Sequence, residues 1–257
     1  MLFEKLDVGS ILQTIHSTGL ANLAQVAERM GEAYHDIDVN EMERQTADRI
    51  DPRLRRYGKG AALLGPYGYF YPSELLPVMA NNTSRGRLLK KDTGALYIYD
   101  FDANGNIALI DFPSMSAKSF CESKDNMKAY LTYEYERNDP GEFRYSAFME
   151  YDDNGLLETM VQFCGYKNMQ IVSEADIEVF HEVNSNERMC DSYKVFFGSD
   201  EVKKLWKQTN KSLYDALNYP HYTKETYRVI YDCKNRITDW EYLSLEHNIK
   251  EAPWRFW

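Results

Sequence analysis

The sequence contains no run approaching the roughly 18 consecutive apolar residues that a membrane-spanning helix needs. Its first ten residues, MLFEKLDVGS, carry charges at Glu4, Lys5 and Asp7 where a secretory leader needs an apolar stretch. Cysteine is sparse: Cys121, Cys164, Cys190 and Cys233 form no CxxC and no tight spacing, which excludes a disulfide framework or a zinc ribbon. These absences together predict a cytoplasmic protein with free thiols and no membrane association. The five histidines lie far apart, and His181-Glu182 is not followed by a second histidine at helical spacing, so the zinc-protease motif is missing. No GxSxG surrounds a serine, no GxxxxGK[ST] occurs, and no GxGxxG follows a strand. Positive charge is also in deficit. The net charge of −10 argues against nucleic acid as the main partner. No cofactor and no catalytic residue is expected from these patterns.

What the chain does hold is apolar and aromatic. Hydrophobic residues make up 44%, enough for a sizeable core, and 20 tyrosines favour sheet, where rings fit a pleated, half-buried surface. Residues 1–52 read as a helical head. Ile11, Leu12 and Ile15, then Leu20, Leu23, Val26, Ala27 and Met30, recur at helical spacing, with a break at Thr18-Gly19. Asn40 is a candidate cap for a further helix that Asp51-Pro52 ends.

Residues 53–94 are rich in Tyr, Gly and Pro and read as an irregular basic segment. Between Arg53 and Lys91 stand eight Lys/Arg against one acid, Glu74. Arg53, Arg55, Arg56, Lys59, Arg85 and Arg87, with Tyr57, Tyr67, Tyr69 and Tyr71, combine cations with stacking rings, as a phosphate-bearing ligand such as a nucleotide or RNA requires. The competing reading is a basic linker neutralised by an acidic sheet.

From residue 95 to 257 the pattern alternates with period two. About nine strands are predicted in meander order, with one inserted helix at about 200–217, capped by Ser199 and stopped by Pro220. The fold class expected is therefore α+β: a helical head followed by a long, mostly antiparallel meander.

One turn recurs. Phe101-Asp102-Ala103-Asn104-Gly105-Asn106-Ile107, Tyr151-Asp152-Asp153-Asn154-Gly155-Leu156-Leu157 and Tyr231-Asp232-Cys233-Lys234-Asn235-Arg236-Ile237 share the form aromatic, Asp, two residues, Gly or Asn, one residue, aliphatic. The Asp carboxylate is suited to accept backbone N–H bonds two residues on, and Gly or Asn to take the left-handed conformation. The first copy also resembles a calcium loop, with Asp100, Asp102, Asn104 and Asp111 in ligand slots. The other copies lose that set, because Ile230 replaces the opening acid and Val161 the closing one. Strand-like flanks argue further for a hairpin turn over a metal site.

FDANGNIALI and YDDNGLLETM resemble the tyrosine-aspartate repeats of bacterial Rhs-type toxin shells, over about seven residues in each of three places. The spacing departs from a regular array: 50 residues separate the first two copies and 80 the next two. An acidic, sheet-rich protein with such hairpins resembles the immunity proteins of bacterial polymorphic toxin systems. That resemblance implies a non-catalytic, protein-binding module whose partner is a basic toxin domain. Its interface is expected on acidic turns and aromatic strand faces, including Tyr133, Tyr135, Asp152 and Asp153. Alternatives are the phosphate-ligand role of the basic segment, as an enzyme or a binder, and a structural assembly subunit.

Overall fold

A computed structural model describes residues 2–18, 23–35, 37–59, 87–95, 97–113, 116–136, 139–197, 204, 222–235 and 237–248. Four helices open the chain: α1 (Leu2–Lys5), α2 (Val8–Thr18), α3 (Leu23–Tyr34) and α4 (Val39–Ala47). Twelve strands follow: β1 (Arg56–Lys59), β2 (Arg87–Leu89), β3 (Tyr97–Phe101), β4 (Ile107–Phe112), β5 (Ala117–Lys124), β6 (Met127–Glu136), β7 (Asp139–Tyr151), β8 (Leu157–Tyr166), β9 (Ile171–Asn184), β10 (Glu187–Phe196), β11 (Tyr222–Tyr231) and β12 (Ile237–Asn248). All twelve belong to one sheet, with β1 placed between β2 and β3 and every later strand beside its sequence neighbour. All the strand pairs are antiparallel.

The protein is thus mostly β with N-terminal helices, and α+β describes it only loosely. Three strands go beyond the nine expected. β5 has a sequence, AKSFCESK, poor in strand formers, yet it pairs along its length with β6. β1 and β2 arise inside the stretch 53–94, expected to be irregular. The expected helix at about 200–217 lies outside the described residues, apart from Lys204.

The helices cover one face of the sheet. Leu12, Ile15, Val26 and Met30 pack with Phe120, Leu131, Phe148, Val161, Phe163 and Ile177 from the strands. Each of these side chains is nearly or fully buried, and burying one stabilises by roughly 1.5–3 kcal/mol. Polar ties fix the helices on that face. Glu122 of β5 accepts the N–H groups of Leu2 (2.5 Å) and Phe3 (3.3 Å), two of the donors that a helix start leaves unpaired. The buried hydroxyls of Tyr34 and Ser146 share a hydrogen bond. Asp38, rather than the expected Asn40, caps α4 by accepting the N–H of Asn40 at 2.9 Å. Gly31 lets α3 meet the β8–β9 turn, since a Cβ there would lie 2.7 Å from the carbonyl oxygen of Gln170.

The opposite face has its own core of Tyr97, Tyr99, Phe112, Cys121, Tyr130, Met149, Met160, Phe180, Cys190, Tyr227 and Tyr231. The sheet curls towards this face: the Asn235 side-chain amide of the β11–β12 turn donates to the Asn154 carbonyl of the β7–β8 turn, 3.2 Å away, although β9 and β10 intervene.

Candidate functional site

The three aspartate corners are built alike. Asp102 Oδ1 accepts the N–H groups of Asn104 (2.9 Å) and Asn106 (2.8 Å). Asp152 Oδ1 accepts those of Asn154 and Leu156, both at 2.9 Å. Asp232 Oδ1 accepts that of Lys234 at 2.8 Å. Gly105, Gly155 and Asn235 all take positive φ, at 84°, 74° and 56°. In each hairpin the pairing shifts by one residue just before the aromatic, so that Phe101 faces Ile107, Tyr151 faces Leu157, and Tyr231 faces Ile237. The residues that this shift skips, Ala108, Glu158 and Thr238, lie on the following strand, while the left-handed residue sits in the turn itself, as in a hairpin closed by a type I turn and one such residue.

These corners close β3–β4, β7–β8 and β11–β12, one every four strands along the same rim. Plainer hairpins, at Asp125-Asn126 and Ser185-Asn186, alternate with them. The unequal sequence spacing conceals a regular structural one. The longer interval contains the 14-residue β9 and the 25 residues that separate β10 from β11.

The residues of the calcium pattern are drawn into other bonds. The Asp100 carboxylate is buried and held by two Arg55 contacts, Nε to Oδ1 at 2.6 Å and Nη2 to Oδ2 at 2.8 Å. Asp102 closes its turn, and Asp111 stands opposite Lys118 across β4–β5. Burial raises the Asp111 pKa, with Lys118 opposing. Strands, not helices, flank the loop. Among the described residues no three His, Cys, Asp or Glu side chains gather as a metal site.

The expected interface residues fall at two separate places. Tyr133 and Tyr135 stack with ring centroids 6.3 Å apart on the helix-bearing side, where Tyr133 also meets Phe143 edge-on at 5.2 Å. Lys118 stands 5.3 Å from the Tyr135 ring centre and 2.5 Å from Glu43 of α4. Both tyrosines are half-buried. Asp152 and Asp153 lie at the other end of the strands, nine and ten residues along the chain from Phe143, the register partner of Tyr133, or about 30 Å. Arg188, buried, reaches to 3.7 Å from Asp152, whereas Asp153 is exposed.

The basic segment is partly neutralised. Arg53 is held by Asp51 at 2.6 Å and Arg55 by Asp100. The Arg56 guanidinium donates to the carbonyls of Arg53 and Arg55. Lys59 and Arg87 are directly opposed on β1 and β2. Arg85 lies outside the described residues.

Two groups escaped the sequence reading. The first is on β9, where Ser-Glu-Ala-Asp-Ile-Glu-Val-Phe puts Glu174, Asp176 and Glu178 on the face opposite Ala175 and Ile177. Asp176 and Glu178 are buried. Lys194 of β10 lies 3.6 Å from Glu174 and 3.9 Å from Asp176. Burial raises the Asp176 pKa to about 6, Lys194 opposing and Glu174 adding. Alternate acids in a strand would have shown the shared face; the curl that buries it is not a local signal. On the same face burial pushes the Cys164 thiol up to about 12 and raises Cys121 well above its usual range. A buried thiol held in its neutral form is a poor nucleophile.

The second group is β12, the outermost on its side of the sheet among the described strands. Tyr242, Leu243 and Leu245 are 46%, 44% and 45% exposed, and with Val183 they are the exposed large hydrophobics among the described residues. Asp239, Glu241 and Glu246 stand beside them, also exposed. No helix among the described residues is long and apolar enough to cross a membrane. Compared with known protein families, with curated proteins and with solved structures, the chain matches none of them.

Proposed function

We propose that this protein is a non-catalytic binding module of the immunity type, which neutralises a bacterial toxin by direct contact with a basic domain. The observation that carries this reading is the concentration of exposed apolar side chains among carboxylates on β12. Apolar contacts there supply affinity once water is displaced, while the acidic surroundings speed encounter with a basic surface and disfavour acidic ones. The acidic balance of the chain and the three tyrosine-aspartate-like hairpins agree with the same reading. Affinity purification from the native host at low salt, with mass spectrometry of the eluate, tests it. The expected result is a basic protein whose toxic activity falls when the purified chain is added back. Recovery of no partner in repeated low-salt purifications overturns the reading.

A second reading keeps the phosphate-bearing ligand, and one observation favours it: Lys59 and Arg87 are cross-strand neighbours, three residues along β1 from Arg56. Nucleotide-dependent thermal stabilisation that disappears in Arg56→Ala/Lys59→Ala/Arg87→Ala would favour it over the first. Arg55 is unsuitable for that test, because its loss strands the buried Asp100.

A further inference from the structure

We infer that β12 is completed by strand addition, and that the added strand, from a partner protein, alternates Lys or Arg with apolar side chains. This rests on the protein-binding reading above and names its mode and chemistry.

The four-strand period supplies the first argument. In the first two units the strand that follows the aspartate corner has a further neighbour: β4 is covered by β5 and β8 by β9. β12 holds the equivalent place in the third unit, and among the described residues nothing pairs with its outer side. Its backbone donors and acceptors therefore form a ready template for an extended segment. The template is 12 residues long, about 40 Å.

The second argument compares the two edges. β2, at the other end of the sheet, is three residues long, with Arg87 in it and Lys90 and Lys91 after it. Short length and cations are the usual means of discouraging edge pairing. β12 is long, contains no proline and has no Lys or Arg. Its pairing with β11 shifts twice: at Thr238, beside the corner, and opposite Thr226 and Tyr227, where Leu243 is left unpaired on β11 and exposed.

The third argument is charge. Residues 237–246 carry three acids and no cation, and the nearest ion-pair partner is Arg228 of β11, 3.6 Å from Glu241. A second β12 laid alongside would add three more acids at close range, which repel. A strand with Lys or Arg at alternate positions would face Asp239 and Glu246, while its other side chains covered Tyr242, Leu243 and Leu245.

The test uses the full chain and two acetylated decapeptides, one alternating Arg with Val and one alternating Glu with Val. Fluorescence anisotropy reads affinity, and hydrogen exchange reads protection of residues 237–248. The Arg peptide is expected to bind, to slow exchange in β12, and to exceed the Glu peptide by about tenfold or more. Asp239→Lys/Glu246→Lys, which alters only exposed side chains, is expected to melt as the parent does and to reverse the preference between the peptides. Equal binding of the two peptides, or no protection of β12, overturns the inference. So does sedimentation showing that copies of the chain associate through this edge and that the double substitution abolishes it. If a basic partner captured from the host binds the double variant as well as the parent, strand addition at β12 fails while the binding function stands.

Discussion

The two faces of the sheet are built on different principles. The helix-covered face is closed mainly by aliphatic and phenylalanine side chains, a packing driven by apolar transfer, with few polar ties such as the buried Tyr34–Ser146 hydrogen bond. The opposite face mixes tyrosine, cysteine and methionine with buried Ser119, Thr132, Gln162, Asp176 and Glu178. Some of that polarity is satisfied internally, as in the 2.6 Å hydrogen bond between Ser119 and Thr132. The lesson is that one face contributes stability while the other carries groups whose burial costs free energy. A protein selected for stability alone would not place acids at alternate positions on a buried strand face.

Adjacent residues of β7 offer the largest test of this contrast. Phe148 is fully buried on the helix side and Met149 nearly so on the other. Phe148→Ala is expected to cost about 4 kcal/mol, from lost transfer energy and the cavity left behind. Met149→Ala is expected to cost about 2 kcal/mol, because a flexible thioether packs less specifically. Urea unfolding of both variants measures the difference. A Met149 effect equal to that of Phe148 would make the two faces equivalent as cores.

The next test uses pH. Asp176 has an ordinary carboxylate value near 3.8 when unfolded, and burial raises it to about 6 in the folded chain. Between roughly pH 4 and 6 the native state therefore holds a proton that the unfolded state has lost, and stability falls as pH rises through that window. Above about pH 6 the full cost of the buried charge is present. Asp176→Asn is expected to flatten this part of the profile and to raise stability at pH 7 by about 1–2 kcal/mol. Thermal melts from pH 4 to 8 read both effects. A variant that is less stable at pH 7 would mean that the Lys194 pair outweighs desolvation.

Local patterns disclosed much of this architecture. The aspartate corners were legible because the turn chemistry lies within seven residues: an acceptor side chain, then a residue that tolerates positive φ. The meander and the helical head were legible from periods of 2 and 3.6. β5 was not, since Lys118, Ser119, Glu122 and Ser123 have little strand preference and the strand is held by its neighbours β4 and β6. The four-strand regularity was hidden because sequence distance counts the residues between β10 and β11, whereas structure counts strands. Of the candidate site, Asp153 was found as an exposed turn acid, but Tyr133 and Tyr135 proved to be half-buried against the helix side. The β12 edge is not legible in the sequence, because nothing in Ile237–Asn248 itself tells whether a further neighbour follows.

The smallest effects belong to the corners, where both faces meet at the rim. A Cβ on Gly155 would meet no atom within 4 Å, so Gly155→Ala tests backbone strain alone. At φ 74° the expected cost is about 1 kcal/mol. Asn235 holds the same place in the third corner at φ 56° and already tolerates it. Asn235→Gly relieves the residual strain but frees the unfolded chain and removes the side-chain bond to the Asn154 carbonyl. These contributions oppose one another, and a net change within about 0.5 kcal/mol is expected. A loss well beyond 1 kcal/mol, measured by thermal melting, would mean that the contact between the two corners, rather than the turn conformation, holds the curl of the sheet.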